Sequence, residues 1–191
     1  MEQAPWSENV ILIDADGLDN TASNIIQYFE RELNRSLPAV DLCHWLNCIT
    51  LDIGLEPGNN NVQVLFIHSS QRKALKCFTP GHFTDELDGR AFKDKLGEFT
   101  LHSFPVEKIV STEDFFLQSL ETLGDSADIK RLIVVPDMEA YGMDVCSVLS
   151  KIESKELFLF SMESQVAGSF THEVLGFSLI NALGIRSEEL G

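Results

Sequence analysis

The chain has 191 residues, 44% of them hydrophobic, and a formal net charge of −16 from 30 acidic and 14 basic side chains. The apolar content supports a packed core and excludes a disordered chain, and the charge disfavours a free-standing nucleic-acid binder, whose affinity would come from Lys and Arg on phosphates. No apolar run reaches the roughly 20 residues of a membrane span, and the acidic start, Met1-Glu2-Gln3-Ala4-Pro5-Trp6, lacks the layout of a signal peptide.

A cytoplasmic protein with no membrane contact is therefore expected, as one α/β domain over residues 1–191 with its core at about 10–184. The first strand is read in Val10-Ile11-Leu12-Ile13, which runs into Asp14-Ala15-Asp16-Gly17. An unbroken apolar run suits a strand buried on both faces, as in the centre of a parallel sheet. Asp19, Asn20 or Thr21 is positioned to cap the helix that follows, with Ile25, Ile26, Tyr28, Phe29 and Leu33 on its apolar face. A second helix is predicted over residues 40–53, then a loop rich in Gly and Asn.

Residues 62–68 form the second predicted strand. Residues 71–97 read least clearly: they hold Lys73, Lys76, Arg90, Lys93 and Lys95, with a helix predicted over 85–96. The period-two pattern of 98–104 predicts a third strand. Ser111 or Thr112 caps a helix with Glu113 and Asp114 in its first turn, where the dipole favours acids. Residues 132–135 and 156–161 are the fourth and fifth strands, separated by a helix over about 139–152; a last helix is predicted over 170–183. Strands alternating with helices predict a three-layer α/β/α sandwich around a roughly five-stranded, mostly parallel sheet.

The four cysteines, Cys43, Cys48, Cys77 and Cys146, show no C-x-x-C spacing, so neither a structural zinc site nor a disulfide framework is expected. The sequence contains no G-x-G-x-x-G, no P-loop and no G-x-S-x-G. Its five histidines are scattered, and His68 and His172 read as structural.

Three acid pairs fall where a strand ends or a helix begins: Asp14 with Asp16, Glu113 with Asp114, and Asp137 with Glu139. In open α/β sheets the carboxyl edge is where ligands gather. Hard cations such as Mg²⁺ or Mn²⁺ prefer carboxylate oxygens, and such an ion can activate water and clamp a phosphodiester. The same acids also suit helix capping and loop solvation.

The segments Ile11-Leu12-Ile13-Asp14-Ala15-Asp16-Gly17 and Val135-Pro136-Asp137-Met138-Glu139-Ala140, with the helix that carries Glu113 and Asp114, resemble the NYN family, LabA-like members of the PIN-like nucleases. Gly17 stands where that family often has Asn, and Ser119 or Leu120 where it has a second helical Asp. The resemblance implies a PIN/NYN-like fold and Mg²⁺- or Mn²⁺-dependent endoribonuclease chemistry. Asp14, Asp137 and Asp114 would be catalytic, and Asp14, Asp16, Glu113, Asp114, Asp137 and Glu139 would be the metal-ligand candidates. RNA is then the implied substrate, although the net charge opposes it. The alternative is a catalytically inactive NYN-like domain that binds or scaffolds a protein partner. A receiver-like fold is a weaker third reading, because no Lys follows the fifth strand in Ser161-Met162-Glu163-Ser164-Gln165.

Overall fold

The computed structural model describes residues 4–191; the first three residues of the expected 1–191 domain, and with them half of its acidic start, lie outside the described residues. In chain order the elements are β1 (Asn9–Asp14), α1 (Ala15–Leu33), β2 (Val40–Asp41), α2 (Leu42–Asp52), β3 (Asn60–Ser69) and β4 (Phe78–Thr79). A π-helical turn (Phe83–Leu87) precedes β5 (Arg90–Asp94) and β6 (Gly97–Val106). Then come α3 (Thr112–Asp125), β7 (Arg131–Val135), α4 (Met138–Leu149), β8 (Glu156–Ser161), β9 (Thr171–Val174), α5 (Leu175–Ala182) and a 3-10 turn (Ser187–Leu190).

Seven strands form one sheet in the order β5-β6-β3-β1-β7-β8-β9, while β2 and β4 pair separately. All neighbours in the large sheet are parallel except β5 with β6. The chain winds outward from β1 through β3 to β6, returns to the other side of β1, and winds outward again through β7, β8 and β9. The order therefore reverses between β1 and β7, the place where doubly wound folds open a crevice at their carboxyl ends.

Every residue of β1 is buried. Its odd positions, Ile11 and Ile13, face the core shared with α1, α2 and α5, where Trp45, Phe66, Phe99 and Phe160 are fully enclosed. Its even positions, Val10 and Leu12, face the core of α3 and α4, built around Phe116, Leu120 and Val145. Helices thus cover both faces, as an all-apolar central strand requires. None of the helices among the described residues is long and apolar enough to cross a membrane.

The sheet has seven strands rather than five, and both extra strands lie in segments expected to be helical. Within 85–96 the chain makes the end of the π-helical turn and then β5, which pairs antiparallel with β6 and stacks Phe92 on Phe99 with ring centroids 4.7 Å apart. Gly89 and Gly97 bracket it at φ +72° and +141°, a region that favours glycine. Arg90, Lys93 and Asp94 are the charged side chains that suit an exposed edge strand. Within 170–183 the first residues pair with β8 as β9, and the helix begins only at Leu175. The predicted helix 40–53 likewise opens with β2, and Asp41 caps α2 by accepting from the His44 N–H at 3.1 Å. Edge strands bury one face only, so they lack the apolar run that marks a central strand.

Candidate functional site

β1 and β7 are adjacent and end together, with Ile13 opposite Val135. Asp14 and Asp137 follow at the reversal point, and each begins a helix. Asp14 caps α1, its Oδ1 accepting from the Gly17 N–H at 2.9 Å; Asp137 caps α4, its Oδ1 accepting from the Ala140 N–H at 3.1 Å. The cap of α1 is thus Asp14 rather than Asp19, Asn20 or Thr21. Gly17 lies against Asp137: a Cβ built on it would stand 3.0 Å from Asp137 Cβ. The absence of a side chain there lets the two helix starts approach each other.

Asp14 is 4% exposed. Its second oxygen accepts from the phenol of Tyr141, at a point where α4 departs from regular helical geometry. Burial pushes the Asp14 carboxyl above the ordinary range, against the hydrogen bonds from Tyr141 and Gly17; the charges of Asp16 and Asp137 push the same way as burial. Burial, with the Asp14 charge and hydrogen bond, pushes the Tyr141 phenol well up, so it stays a donor.

Asp16 points elsewhere. Its Oδ2 accepts from the Ser69 N–H at 2.8 Å, and its buried Oδ1 lies 3.4 Å from Arg72 Nε. Glu113 and Asp114 sit in the first turn of α3, where Ser111 accepts from the Asp114 N–H at 3.0 Å. Asp114 is exposed, and neither acid is among the charges that act on Asp14. Glu139 is exposed in the first turn of α4. The structure therefore brings Asp137 close to Asp14, turns Asp16 toward Ser69 and Arg72, leaves Glu139 exposed, and gives Glu113 and Asp114 a local role at their own helix.

A divalent cation needs several carboxylate oxygens converging on one point, and it competes there with protein donors for their lone pairs. Both oxygens of Asp14 and one of Asp137 already accept protein donors. Among the described residues no group of three or more His, Cys, Asp or Glu side chains is arranged to hold a metal ion. As placed, the predicted ligands do not fit Mg²⁺ or Mn²⁺. The four cysteines are free thiols; Cys48 is buried and the others are half-buried.

Sequence reasoning missed Tyr141, and it undervalued Asp19. Asp19 is 4% exposed; its Oδ1 accepts from the Cys77 N–H at 2.8 Å and its Oδ2 from the Lys76 N–H at 3.0 Å, with Arg72 at 3.5 Å. It fixes the stretch after β3 to α1. Tyr141 lies 127 residues from Asp14, and the partners of Asp19 lie more than 50 residues away, so no local spacing announces either contact.

Beside the acids a cleft of about 720 Å³ opens between α1, the start of α4, the end of β8 and α5. Ile25, Phe29 and Ile180 contribute apolar walls, Asp137, Glu139 and Glu163 are acidic, and its lining among the described residues includes no basic side chain. Tyr28 and Met162, half exposed, line it as well. Exposed apolar surface rimmed by charge marks an interaction site more often than a bare surface.

The chain belongs to the Family of unknown function (DUF6621), whose family model matches residues 3–190. No curated protein and no solved structure matches it.

Proposed function

We propose that this member of a family of unknown function is a non-catalytic binding module on a PIN/NYN-like scaffold, and that its acidic cleft receives a basic, amphipathic segment of a partner protein. The observation that carries this reading is the state of Asp14: buried, held above its ordinary pKa, and with both oxygens engaged by Gly17 and Tyr141. A group so placed organises the start of α1 and the packing of α4, and each of its oxygens already serves a donor of the chain itself. The two helix N-termini at the reversal point, where an anion would ordinarily bind, are filled by the chain's own carboxylates. What remains open is the neighbouring cleft, apolar in its walls and negative at Asp137, Glu139 and Glu163. Lys or Arg flanking an apolar anchor complements it in both respects.

A labelled peptide of alternating Lys and Leu, with a Glu and Leu peptide as control, tests this on the full chain. The basic peptide binds, the acidic one does not, and the pair Glu139→Lys with Glu163→Lys weakens binding by about tenfold or more. Binding indifferent to the charge reversal overturns the proposal.

A second reading, the Mg²⁺- or Mn²⁺-dependent ribonuclease, is favoured by one observation: Asp14 and Asp137 stand at the ends of adjacent strands, close enough for the Asp137 charge to act on Asp14. A metal there would compete with the Tyr141 hydroxyl for Asp14. Mn²⁺-dependent RNA cleavage that rises in Tyr141→Phe and vanishes in Asp137→Asn would establish this reading and remove the first.

A further inference from the structure

We infer that the segment received by the acidic cleft is an α-helix, that it runs antiparallel to α1 and α5, and that its basic residues occupy its last turn. The inference rests on the binding reading above and adds the shape and direction of what binds.

The shape follows from what the cleft can offer a backbone. Gly17, Pro136 and Ser161, at or just after the ends of β1, β7 and β8, line it, and each of these strands already has a neighbour on both sides. An extended segment would find no open strand edge to pair with, and its buried N–H and C=O groups would lack partners. A helix arrives with its backbone already paired. Thr21, Ile25 and Tyr28 of α1 recur in the cleft at i, i+4 and i+7, a ridge against which a second helix packs.

The direction follows from where charge and apolar surface sit. β1, β7, β8 and β9 are parallel, so α1, α4 and α5, which follow β1, β7 and β9, all begin at one rim of the sheet. The acids of the cleft belong to that rim: Asp137 and Glu139 open α4, and Glu163 stands just beyond the end of β8. The apolar walls lie farther along the helices, with Phe29 roughly 20 Å from the start of α1 and Ile180 in the second turn of α5. A basic amphipathic helix matches this layout only with its charge at the rim. Of the helix starts there, α1 and α4 are capped by Asp14 and Asp137, and α5 has no side-chain cap. A helix that ends at the rim sets the negative end of its dipole beside these positive ends, and Lys or Arg in its last turn suits its own dipole as well as the acids. The opposite direction would set N-terminus against N-terminus and put the basic residues in a first turn, where the dipole disfavours them.

Three labelled peptides about four turns long test this on the full chain by fluorescence anisotropy. All carry Leu at helical spacing. The forward peptide has its lysines in the last turn and the reversed one in the first turn; both are stapled on the outer face to equal helicity, checked by circular dichroism. The third is an unstapled forward peptide interrupted by central prolines. The forward peptide is expected to bind about tenfold or more tighter than either of the others, and to lose its advantage over the reversed one in Glu139→Lys with Glu163→Lys, both exposed positions. The alternating Lys and Leu peptide, which has the charge without the helical spacing, reads the binding proposal separately and binds more weakly than the forward helix. A reversed or interrupted peptide that binds as well as the forward one, or a forward advantage that survives the charge reversal, overturns the inference; if the alternating peptide still binds, the binding reading stands. If none of the four binds, both are overturned.

Discussion

The two halves of the sheet's carboxyl edge use the same kinds of residue to opposite ends. Around β1 and β7, the carboxylates of Asp14 and Asp137 turn inward on the chain's own N–H and O–H donors. Around β3 and β6, the acids Asp16 and Asp19 hold the backbone and Arg72, and Nε2 of His68 is left buried without a partner among the described residues. An acid at a strand end is therefore not by itself a ligand site. What matters is whether a donor from elsewhere in the chain has already reached it.

The comparison breaks most visibly at Asp19. Asp19→Ala would strand the Lys76 and Cys77 N–H groups and leave Arg72 with one acid fewer, at a cost of about 3 kcal/mol in urea unfolding. The His68 nitrogens should shift in the same variant, because the segment that carries Lys73 loses its anchor.

Tyr141→Phe is next, at about 2 kcal/mol near neutral pH, since Asp14 then keeps a buried charge with one donor fewer. Its pH dependence follows from the direction of the shift. The folded pKa of Asp14 is already above its unfolded value of about 3.9, and losing the phenol raises it further. For such a group, stability is full below the unfolded pKa and is lost as pH rises through the folded one. The deficit of the variant is therefore larger at about pH 8 than at about pH 5. A deficit that does not change with pH would mean that the phenol serves packing alone.

Asp137→Ala gives the smallest effect, about 1 kcal/mol, the loss of one helix cap at a half-exposed position. It sharpens the contrast: Asp14 and Asp137 do the same capping work, and only Asp14 is buried. If Asp137→Ala costs as much as Tyr141→Phe, the two acids form a tighter unit than their separate contacts describe.

Much of the scaffold was legible in the sequence. The apolar runs of β1, β3, β7 and β8 mark strands enclosed on both faces, and Ser111 marks the start of α3 by a side-chain contact three residues long. These signals are local: burial on both faces and a cap need only neighbours in the chain. The expectation of acids gathered at the reversal point was also within reach, because strand ends and chain order are coarse features. Its consequence was not, because Tyr141 and Gly17 decide what Asp14 and Asp137 can do.

By itself, the sequence determined an acidic, well-packed α/β chain whose first and fourth predicted strands each run into an acid pair. Only the tertiary structure decided that Arg90–Asp94 and Thr171–Val174 would be edge strands, since a strand with one buried face is defined by the neighbour it pairs with. It alone also decided which polar groups are satisfied. Donor and acceptor meet across 53 residues at Ser69 and Asp16 and across 127 at Tyr141 and Asp14, while Nε2 of His68 meets no partner among the described residues.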